Sequence, residues 1–353
     1  MGRLSSASVN TVSQIPKISV LMPAYNAERY IVAAISSILS QDLEHFKLII
    51  LNDGSTDKTA DKIAAFAALD SRISVHTNAE KTGILAARDR LLDLVDTELF
   101  AWMDADDVSM PSRLRKQKAF LDENPSIDIV AGAWSIMGTD NVIVPYSKPE
   151  ELRAAMLVSN PFHNPVMMVR TEKAKSLSFR YVDSGVESAS DFAFVTKFKN
   201  FGTFSTLPEL LYLYRVHSRQ ESSTNFKAQR DSLKKLMCAQ FEYHDFKIPY
   251  TIRHVIRIFP GEKTTFEEAE EIAKFYKCFI DANKLNNWYE DKYLKKHLGI
   301  SLKRICSMHG LKGLKLFLSY FGIREVIKGK KVGIPFVHDC LKKREKRVSF
   351  RKY

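Results

Sequence analysis

The regular alternation of short apolar runs with amphipathic segments between residues 18 and 103 constrains the fold more than any other feature. The apolar runs are Ile18–Met22, Phe46–Leu51, Ile73–His76 and Leu99–Met103, and the segments between them place apolar residues at helical spacing. Strands that alternate with helices of this length pair in parallel through right-handed crossovers. The sequence therefore predicts an α/β protein with a mostly parallel central sheet flanked by helices.

Polar turns directly follow three of these strands. The turns are Pro23–Asn26, Asn52–Asp57 and Asp104–Asp107. Ligands of open parallel sheets bind beyond the carboxyl ends of the strands. We therefore expect these three turns to converge on one crevice.

The alternation weakens after Pro111, and the periodicity becomes mainly helical after Thr224. This change predicts four parts of the chain. Residues 1–16 are a disordered leader, 17–224 are one domain with halves 17–110 and 111–224, 225–340 are mainly helical, and 341–353 are a basic tail. The tail holds seven Lys or Arg and one Glu, so it carries half of the net charge of +12.

Composition and motifs exclude several classes of protein. The positive charge favours an anionic partner, but no nucleic-acid-binding module accompanies it. Neither a GxGxxG fingerprint after the first strand nor a P-loop occurs, which argues against dehydrogenases and ATPases. The four cysteines form no close pair, no secretory signal is visible, and no apolar stretch reaches the ~20 residues that span a bilayer. We therefore expect a cytoplasmic protein.

The acidic turn Asp104–Asp107 is a candidate metal site. Carboxylates at the end of an apolar strand are costly to bury unless a cation or hydrogen-bond donors meet them. A few oxygen ligands suit Mg²⁺ or Mn²⁺, which completes its shell with water and substrate phosphates. An acidic turn that caps the helix after Pro111 is the alternative.

Two further side chains in these turns suit a nucleotide. Asp53 can accept hydrogen bonds from a ribose or a base, although turn and cap chemistry also explains an Asp there. Tyr25 offers a flat face for stacking on a base, and packing is the alternative.

Four segments, in this order and spacing, resemble the inverting family-2 glycosyltransferases with the GT-A fold. They are Pro23–Asn26 after a strand, Asn52–Asp57, Gly83 with Ala87 and Arg88, and Asp104–Asp107 after a strand. The resemblance covers roughly residues 17–224. It implies a GT-A domain, with a helical C-terminal extension in this chain.

The resemblance also implies roles for individual residues. Pro23, Ala24 and Tyr25 would line the nucleobase pocket, Asp53 would bind the base or ribose, and Arg88 would hold the nucleotide. Asp104 would lie near the ribose and the metal, and Asp106 would bind the Mn²⁺ or Mg²⁺ ion. Further residues with implied roles are His163 near the acceptor, and Arg215 and His217 at the diphosphate, with His217 also a candidate metal ligand.

The same family usually takes its catalytic base from the Asp of a Glu-Asp pair that opens a helix. Here the pair reads Ser190-Asp191, so Asp191 is the candidate base. Glu187, which is also a candidate acceptor contact, and Asp183 are alternative carboxylates. Asp191 could instead only favour the positive end of its helix dipole.

These observations predict a metal-assisted, inverting transfer of a sugar from a nucleotide donor, expected to be a UDP-sugar, onto a glycan acceptor. By analogy, the setting is cell-surface polysaccharide or lipopolysaccharide synthesis at the inner face of the plasma membrane, with an acceptor that can be lipid-linked. The basic amphipathic segment Leu311–Lys328 and the tail could lie on an anionic membrane surface, or the segment could pack as an ordinary helix. A sugar nucleotidyltransferase and a non-catalytic nucleotide- or glycan-binding protein are the alternatives.

Overall fold

A computed structural model describes residues 16–162, 164–199, 202–220, 224–256, 258–259 and 261–327. The predicted leader up to residue 15, the candidate acceptor residue His163, Cys340 and the basic tail lie outside these residues. The cysteines within the described part, Cys238, Cys278 and Cys306, form no disulfide bond with one another.

A nine-stranded mixed sheet forms the centre of the molecule. Eight strands follow the order β3-β2-β1-β4-β8-β6-β9-β5, and β7 pairs with β6 outside this path. The strands are β1 Ile18–Ala24, β2 Phe46–Asp53, β3 Ile73–Asn78, β4 Leu99–Trp102, β5 Val108–Ser109, β6 Ile129–Ile136, β7 Val142–Ile143, β8 Met168–Arg170 and β9 Phe204–Tyr214.

Eleven helices lie in the described residues and surround this sheet. They are α1 Ile31–Leu39, α2 Thr59–Ala67, α3 Ile84–Asp93, α4 Arg113–Glu123, α5 Pro149–Ala155, α6 Thr171–Ser176, α7 Ser190–Phe198, α8 Phe226–Glu242, α9 Phe266–Asn286, α10 Asp291–Cys306 and α11 Gly310–Ile327. Helix α11 is kinked at Gly322, whose φ of 74° departs from helical geometry. Together with the sheet, these helices confirm the predicted α/β class and the helical C-terminal extension.

The first four strands pair in parallel, as the alternating pattern predicts. Strand β1 pairs with β2 on one side and β4 on the other, and β2 pairs with β3. The register sets Ala24 beside Asn52, and Asp53 beside Asn78. The carboxyl ends of these strands therefore meet at one edge, which brings the polar turns together.

The second half of the sheet mixes both directions. Strand β8 runs antiparallel to β4 and β6, and β5 runs antiparallel to β9, while β6 and β9 are parallel. Strand β9 is the longest of the described strands, with 11 residues from Phe204 to Tyr214. Its longer course lets it pair with both β6 and the short strand β5 that follows the acidic turn.

Strand β1 continues through Pro23, whereas the sequence predicted that this proline would end it. The ladder between β1 and β4 covers Ile18–Leu21 only. A proline beyond that point interrupts no hydrogen bond to β4, so it is tolerated near the end of a central strand.

Two hydrophobic cores lie on the two faces of the sheet, because side chains alternate along each strand. Val20 and Met22 pack with α1 and α2 in one core. Leu21 and Trp102 belong to the other, which extends without interruption to helices α8–α11. The C-terminal helices therefore share a core with the sheet domain. No helix in the described part of the chain is both long and apolar enough to cross a bilayer.

Candidate active site

The acidic turn after β4 divides its carboxylates by burial. Asp104 and Asp106 are partly exposed, whereas Asp107 is fully buried. The Tyr212 hydroxyl donates to Asp107 Oδ2 at 2.9 Å, and the Arg215 backbone N–H donates to Oδ1 at 2.6 Å. Burial, together with the nearby charges of Asp106 and Asp104, raises the pKa of Asp107 to about 9. Asp107 therefore fixes the turn from inside and leaves the other two carboxylates facing outward.

The segment after β9 supplies the partners of Asp106. His217 Nε2 lies 2.9 Å from Asp106 Oδ2, and Arg215 Nε donates to the Asp106 backbone carbonyl at 2.7 Å. The Arg219 N–H donates to His217 Nδ1 at 3.2 Å. Because Nδ1 accepts this bond, we assign the ring proton to Nε2, which donates it to Asp106. The ring of Tyr30 packs at 4.6 Å from the imidazole and at 5.0 Å from the Arg215 guanidinium.

Arg88 links α3 to the same turn. Its Nη2 lies 3.3 Å from Asp104 Oδ1, and its guanidinium lies 5.3 Å from the centre of the Trp102 ring. The side chain is buried, and its Nε and Nη1 groups have no hydrogen-bond partner among the residues that the structure describes. Buried donors without acceptors are costly. A polar or anionic ligand beside Asp104 would satisfy them.

Asp53 braces the start of α3. Its carboxylate accepts hydrogen bonds from Asn78 Nδ2, from the backbone and side chain of Thr82, and from the Gly83 N–H, at 2.6–2.9 Å. Burial raises the pKa of Asp53, but these four bonds outweigh it and lower the pKa below its ordinary value. Three bonds fall on Oδ1 and one on Oδ2, so Oδ2 retains capacity for a ligand.

Gly54 allows the 78–83 loop to approach β2. It adopts a φ of +64°, and a Cβ there would lie 2.5 Å from the Glu80 carbonyl carbon. Only glycine fits both the backbone conformation and the contact. The turn signature in the sequence therefore serves to hold this loop, besides leading into α2.

The predicted nucleobase residues lie at the end of β1. Pro23 and Ala24 are buried in the strand, and Tyr25 is 40% exposed. The Lys81 ammonium sits 4.3 Å from the centre of the Tyr25 ring. A cation over a tyrosine face stabilises the 78–83 loop against this residue. The exposed part of the ring suits stacking.

Asp191 lies in the first turn of α7 and is partly exposed. The preceding Ala189 adopts a left-handed conformation with φ of 60°. The Phe192 N–H donates to Asp191 Oδ1 at 2.7 Å, and Asn160 Nδ2 donates to Oδ2 at 2.9 Å. The alternative carboxylates, Asp183 and Glu187, are both exposed.

The site residues fall into two groups that contacts define. Arg88, Asp104, Asp106, Arg215 and His217 form one connected group, and Asp53 joins it through α3. Asp191 and Asn160 form the second group. Sequence reasoning missed Tyr212 and Asn160. An aromatic residue in a strand and an Asn before a proline carry no distinctive signal alone.

The side chains of the acidic turn suit a divalent cation that is held mainly by the phosphates of a bound substrate. Across the described ranges, no group of three His, Cys, Asp or Glu could hold a metal on its own. The outward carboxylate of Asp106 is a hard oxygen ligand, and Mg²⁺ is often held by one or two carboxylates plus phosphates. His217 could bind a cation through Nε2 only by moving its proton to Nδ1, where the Arg219 N–H now donates.

Comparison with known proteins identifies the family of residues 19–183. The model of the family described as Glycosyl transferase family 2 matches residues 19–183, which include the acidic turn, Arg88 and Asp53. Residues 19–183 form a family 2 glycosyltransferase domain. A protein of Haemophilus influenzae described as an uncharacterized glycosyltransferase is 29% identical over 297 residues, which cover 80% of this chain and 92% of the relative.

A second relative is similar to a shorter part of the chain. It is the Escherichia coli protein named UDP-Glc:alpha-D-GlcNAc-diphosphoundecaprenol beta-1,3-glucosyltransferase WfgD. It is 31% identical over 143 residues, which cover 40% of this chain and 55% of WfgD.

Solved structures confirm the fold of the family 2 domain. Residues 1–349 of S. aureus TarS, in complex with UDP-GlcNAc, match with a TM-score of 0.52 at 19% identity, covering 88% of this chain and 90% of TarS 1–349. The Pyrobaculum calidifontis mannosyltransferase PcManGT, in complex with GDP-Man and Mn²⁺, matches with a TM-score of 0.50 at 16% identity. The match covers 94% of this chain and 87% of the PcManGT chain. The predicted resemblance to family-2 enzymes of the GT-A fold is thus confirmed.

Proposed function

We propose that this protein transfers a sugar from a nucleoside diphosphate sugar to a glycan acceptor, with metal assistance and inversion at the anomeric carbon. The observation that carries the proposal is the convergence of Arg88, Asp104, Asp106, Arg215 and His217 at the carboxyl edge of the sheet. Carboxylates and cationic donors in one cluster suit a ligand that brings both a diphosphate and a metal ion.

The donor would lie along this edge. Arg88 offers two buried guanidinium nitrogens that have no partner within the described part of the chain, and Tyr25 offers a half-exposed ring. Asp53 would accept from the base or ribose through its remaining capacity on Oδ2. A UDP-sugar is the donor we favour, because WfgD is named for UDP-Glc and TarS was solved with UDP-GlcNAc.

Asp106 would hold Mn²⁺ or Mg²⁺, with Asp104 beside the ribose and the metal. A divalent cation bound there offsets the charge that develops on the departing diphosphate. PcManGT, which shares the fold, was solved with Mn²⁺ and GDP-Man. Arg215 and His217 would stabilise the same charge, because both place donors beside Asp106.

Asp191 would act as the general base. The acceptor hydroxyl must lose a proton as it attacks the anomeric carbon, and a positioned carboxylate can accept that proton. Attack from the face opposite the leaving group is a single displacement, so the configuration inverts. In the first turn of α7, the Phe192 N–H holds the Asp191 carboxylate by a hydrogen bond.

The acceptor would be a growing surface polysaccharide or lipopolysaccharide, carried on a lipid. WfgD is named for an acceptor linked to diphosphoundecaprenol. We place His163 and Glu187 near the acceptor, and the basic tail at the inner face of the membrane. The charge of the tail supports this placement.

The experiment that tests the proposal is incubation of the protein with Mn²⁺ and a panel of nucleotide sugars. Slow hydrolysis of one donor, with release of a nucleoside diphosphate, is the expected result. Release of pyrophosphate from a nucleoside triphosphate and a sugar phosphate would instead show a sugar nucleotidyltransferase. Binding without turnover of any donor, with or without glycan acceptors, would show a binding protein.

A further inference from the structure

The loop before β8 contains a side chain whose contacts point to a role in the chemistry. Asn160 donates through Nδ2 to Asp191 Oδ2 at 2.9 Å, and its Oδ1 accepts the Phe162 N–H at 3.1 Å. Asn160 is partly buried, and it joins two segments that are 31 residues apart in the chain.

The orientation of the Asn160 amide follows from its two partners. A backbone N–H can only donate, so the side of the amide that faces Phe162 must be the oxygen. The NH₂ group is thereby turned toward Asp191, and it can only donate. The amide therefore provides a donor of fixed direction to Asp191 Oδ2, which orients the carboxylate.

Phe162, whose N–H donates to Asn160, is anchored in the hydrophobic core. Phe162 is 1% exposed, and its ring lies 5.5 Å from that of Phe204 in β9. The Phe162 N–H and the Asn160 amide are therefore anchored to the sheet. On the other side, the Phe192 N–H fixes Asp191 Oδ1. The carboxylate is held by one donor on each oxygen.

We infer that Asn160 is a positioning residue for sugar transfer: it holds the Asp191 carboxylate oriented toward the acceptor. This inference rests on the proposed function, because it takes Asp191 as the base. Asn160 does not itself contact the reacting atoms in this account.

Two substitutions separate this role from simple support of the loop. Asn160→Leu keeps the approximate size but removes the donor, and we expect kcat to fall ~10- to 100-fold, the usual value of a hydrogen bond to a charged group. Asn160→Asp keeps the shape of the side chain. The introduced carboxyl group can donate a hydrogen bond to Asp191 only while one proton is shared between the two carboxyl groups. Like charges at this distance resist joint ionisation. Asn160→Asp should therefore transfer sugar at low pH and lose activity as pH rises, a descending limb that the wild type lacks.

We would measure kcat and the donor KM as functions of pH for the wild type and both variants. The control is Asn286→Asp, which makes the same substitution at an exposed position of α9. We expect an unchanged donor KM in all four proteins. A merely structural role predicts that the Asp and Leu variants lose activity by a constant factor at every pH, and that result would overturn the inference. Normal kcat in Asn160→Leu would overturn it as well.

A second readout works without turnover. In ¹⁵N-labelled protein, the Asn160 side-chain amide resonances, assigned with Asn160→Asp, should shift as Asp191 takes up a proton, and should stop shifting in Asp191→Asn. Resonances that titrate identically in both proteins contradict the contact itself. If the contact is seen but no donor is turned over, the proposed function fails and the hydrogen bond stands.

Discussion

Three neighbouring carboxylates of the acidic turn have different chemistry because their burial differs. Asp107 is enclosed, its pKa is raised to about 9, and it binds Tyr212 and the Arg215 backbone. Asp104 and Asp106 are partly exposed, and they contact Arg88 and His217, respectively. The sequence predicts that carboxylates follow β4, but not which of them points inward. That choice depends on Tyr212, which lies more than 100 residues away in the chain.

Substitution of the candidate base, Asp191, should lower turnover. Asp191→Asn removes the proton acceptor but keeps the shape and the hydrogen bond from the Phe192 N–H. We expect turnover to fall at least ~10²-fold, the low end of general-base contributions. Donor affinity, measured by calorimetry, should not change. Full turnover in this variant would move the base elsewhere, and Glu187→Gln would be the next variant to measure.

At the scale of elements, a chain of contacts connects the turns. Asp53 at the end of β2 holds the N–H of Gly83, where α3 begins, and α3 carries Arg88 to Asp104. Four strands and three helices of this half follow the predicted order because their apolar periodicity is strong. Strands β5 and β7 have two residues each, too few to show a period, and only their partners β9 and β6 define them. The helix α6 was missed for a similar reason, because six residues give less than two turns.

Helix α10 gives a prediction about acid stability. His297 is 2% exposed, and burial, with the nearby Lys296 charge, lowers its pKa from 6.5 to about 4. The unfolded chain therefore takes up a proton first as pH falls below 6.5. The contribution of neutral His297 to the free energy of unfolding is fully present above pH 6.5 and is lost as the pH falls toward 4. The loss is up to about 1.4 kcal/mol per pH unit.

Urea unfolding at several pH values between 7 and 4.5 measures this slope. We expect His297→Gln to lower the slope of the free energy of unfolding against pH. The decrease should correspond to the uptake of at most one proton on unfolding. The exposed His45→Gln serves as the control and should retain the wild-type slope. Equal slopes in all three proteins would show that His297 does not titrate with unfolding.

At the scale of the whole molecule, the sheet domain and the C-terminal helices share one hydrophobic core. That core includes Leu21 and Trp102 of the sheet together with Phe279 of α9 and Phe317 of α11. The sequence predicted the helical content of this region, but periodicity does not reveal which faces meet. This core includes residues on both sides of residue 224, where the sequence predicts a boundary.

The basic tail carries the prediction for membrane attachment. Deletion of residues 341–353 removes six net positive charges, and each charge near an anionic surface is worth about 1 kcal/mol. We expect the shortened protein to sediment less with vesicles containing phosphatidylserine, and the difference to shrink as salt is added. Vesicles of phosphatidylcholine alone are the control. Equal sedimentation of both proteins with anionic vesicles would favour a solvated tail.

The central claim is that the acidic turn holds a cation against the diphosphate of a sugar donor. Calorimetric titration of UDP into the protein, with Mn²⁺ and then with a chelator, tests it most directly. We predict tight binding with Mn²⁺ that weakens on chelation in the wild type and in the exposed control Asp140→Ala, and weak, metal-independent binding in Asp106→Ala. UDP affinity that is the same with Mn²⁺ and with chelator, in the wild type, would contradict the account.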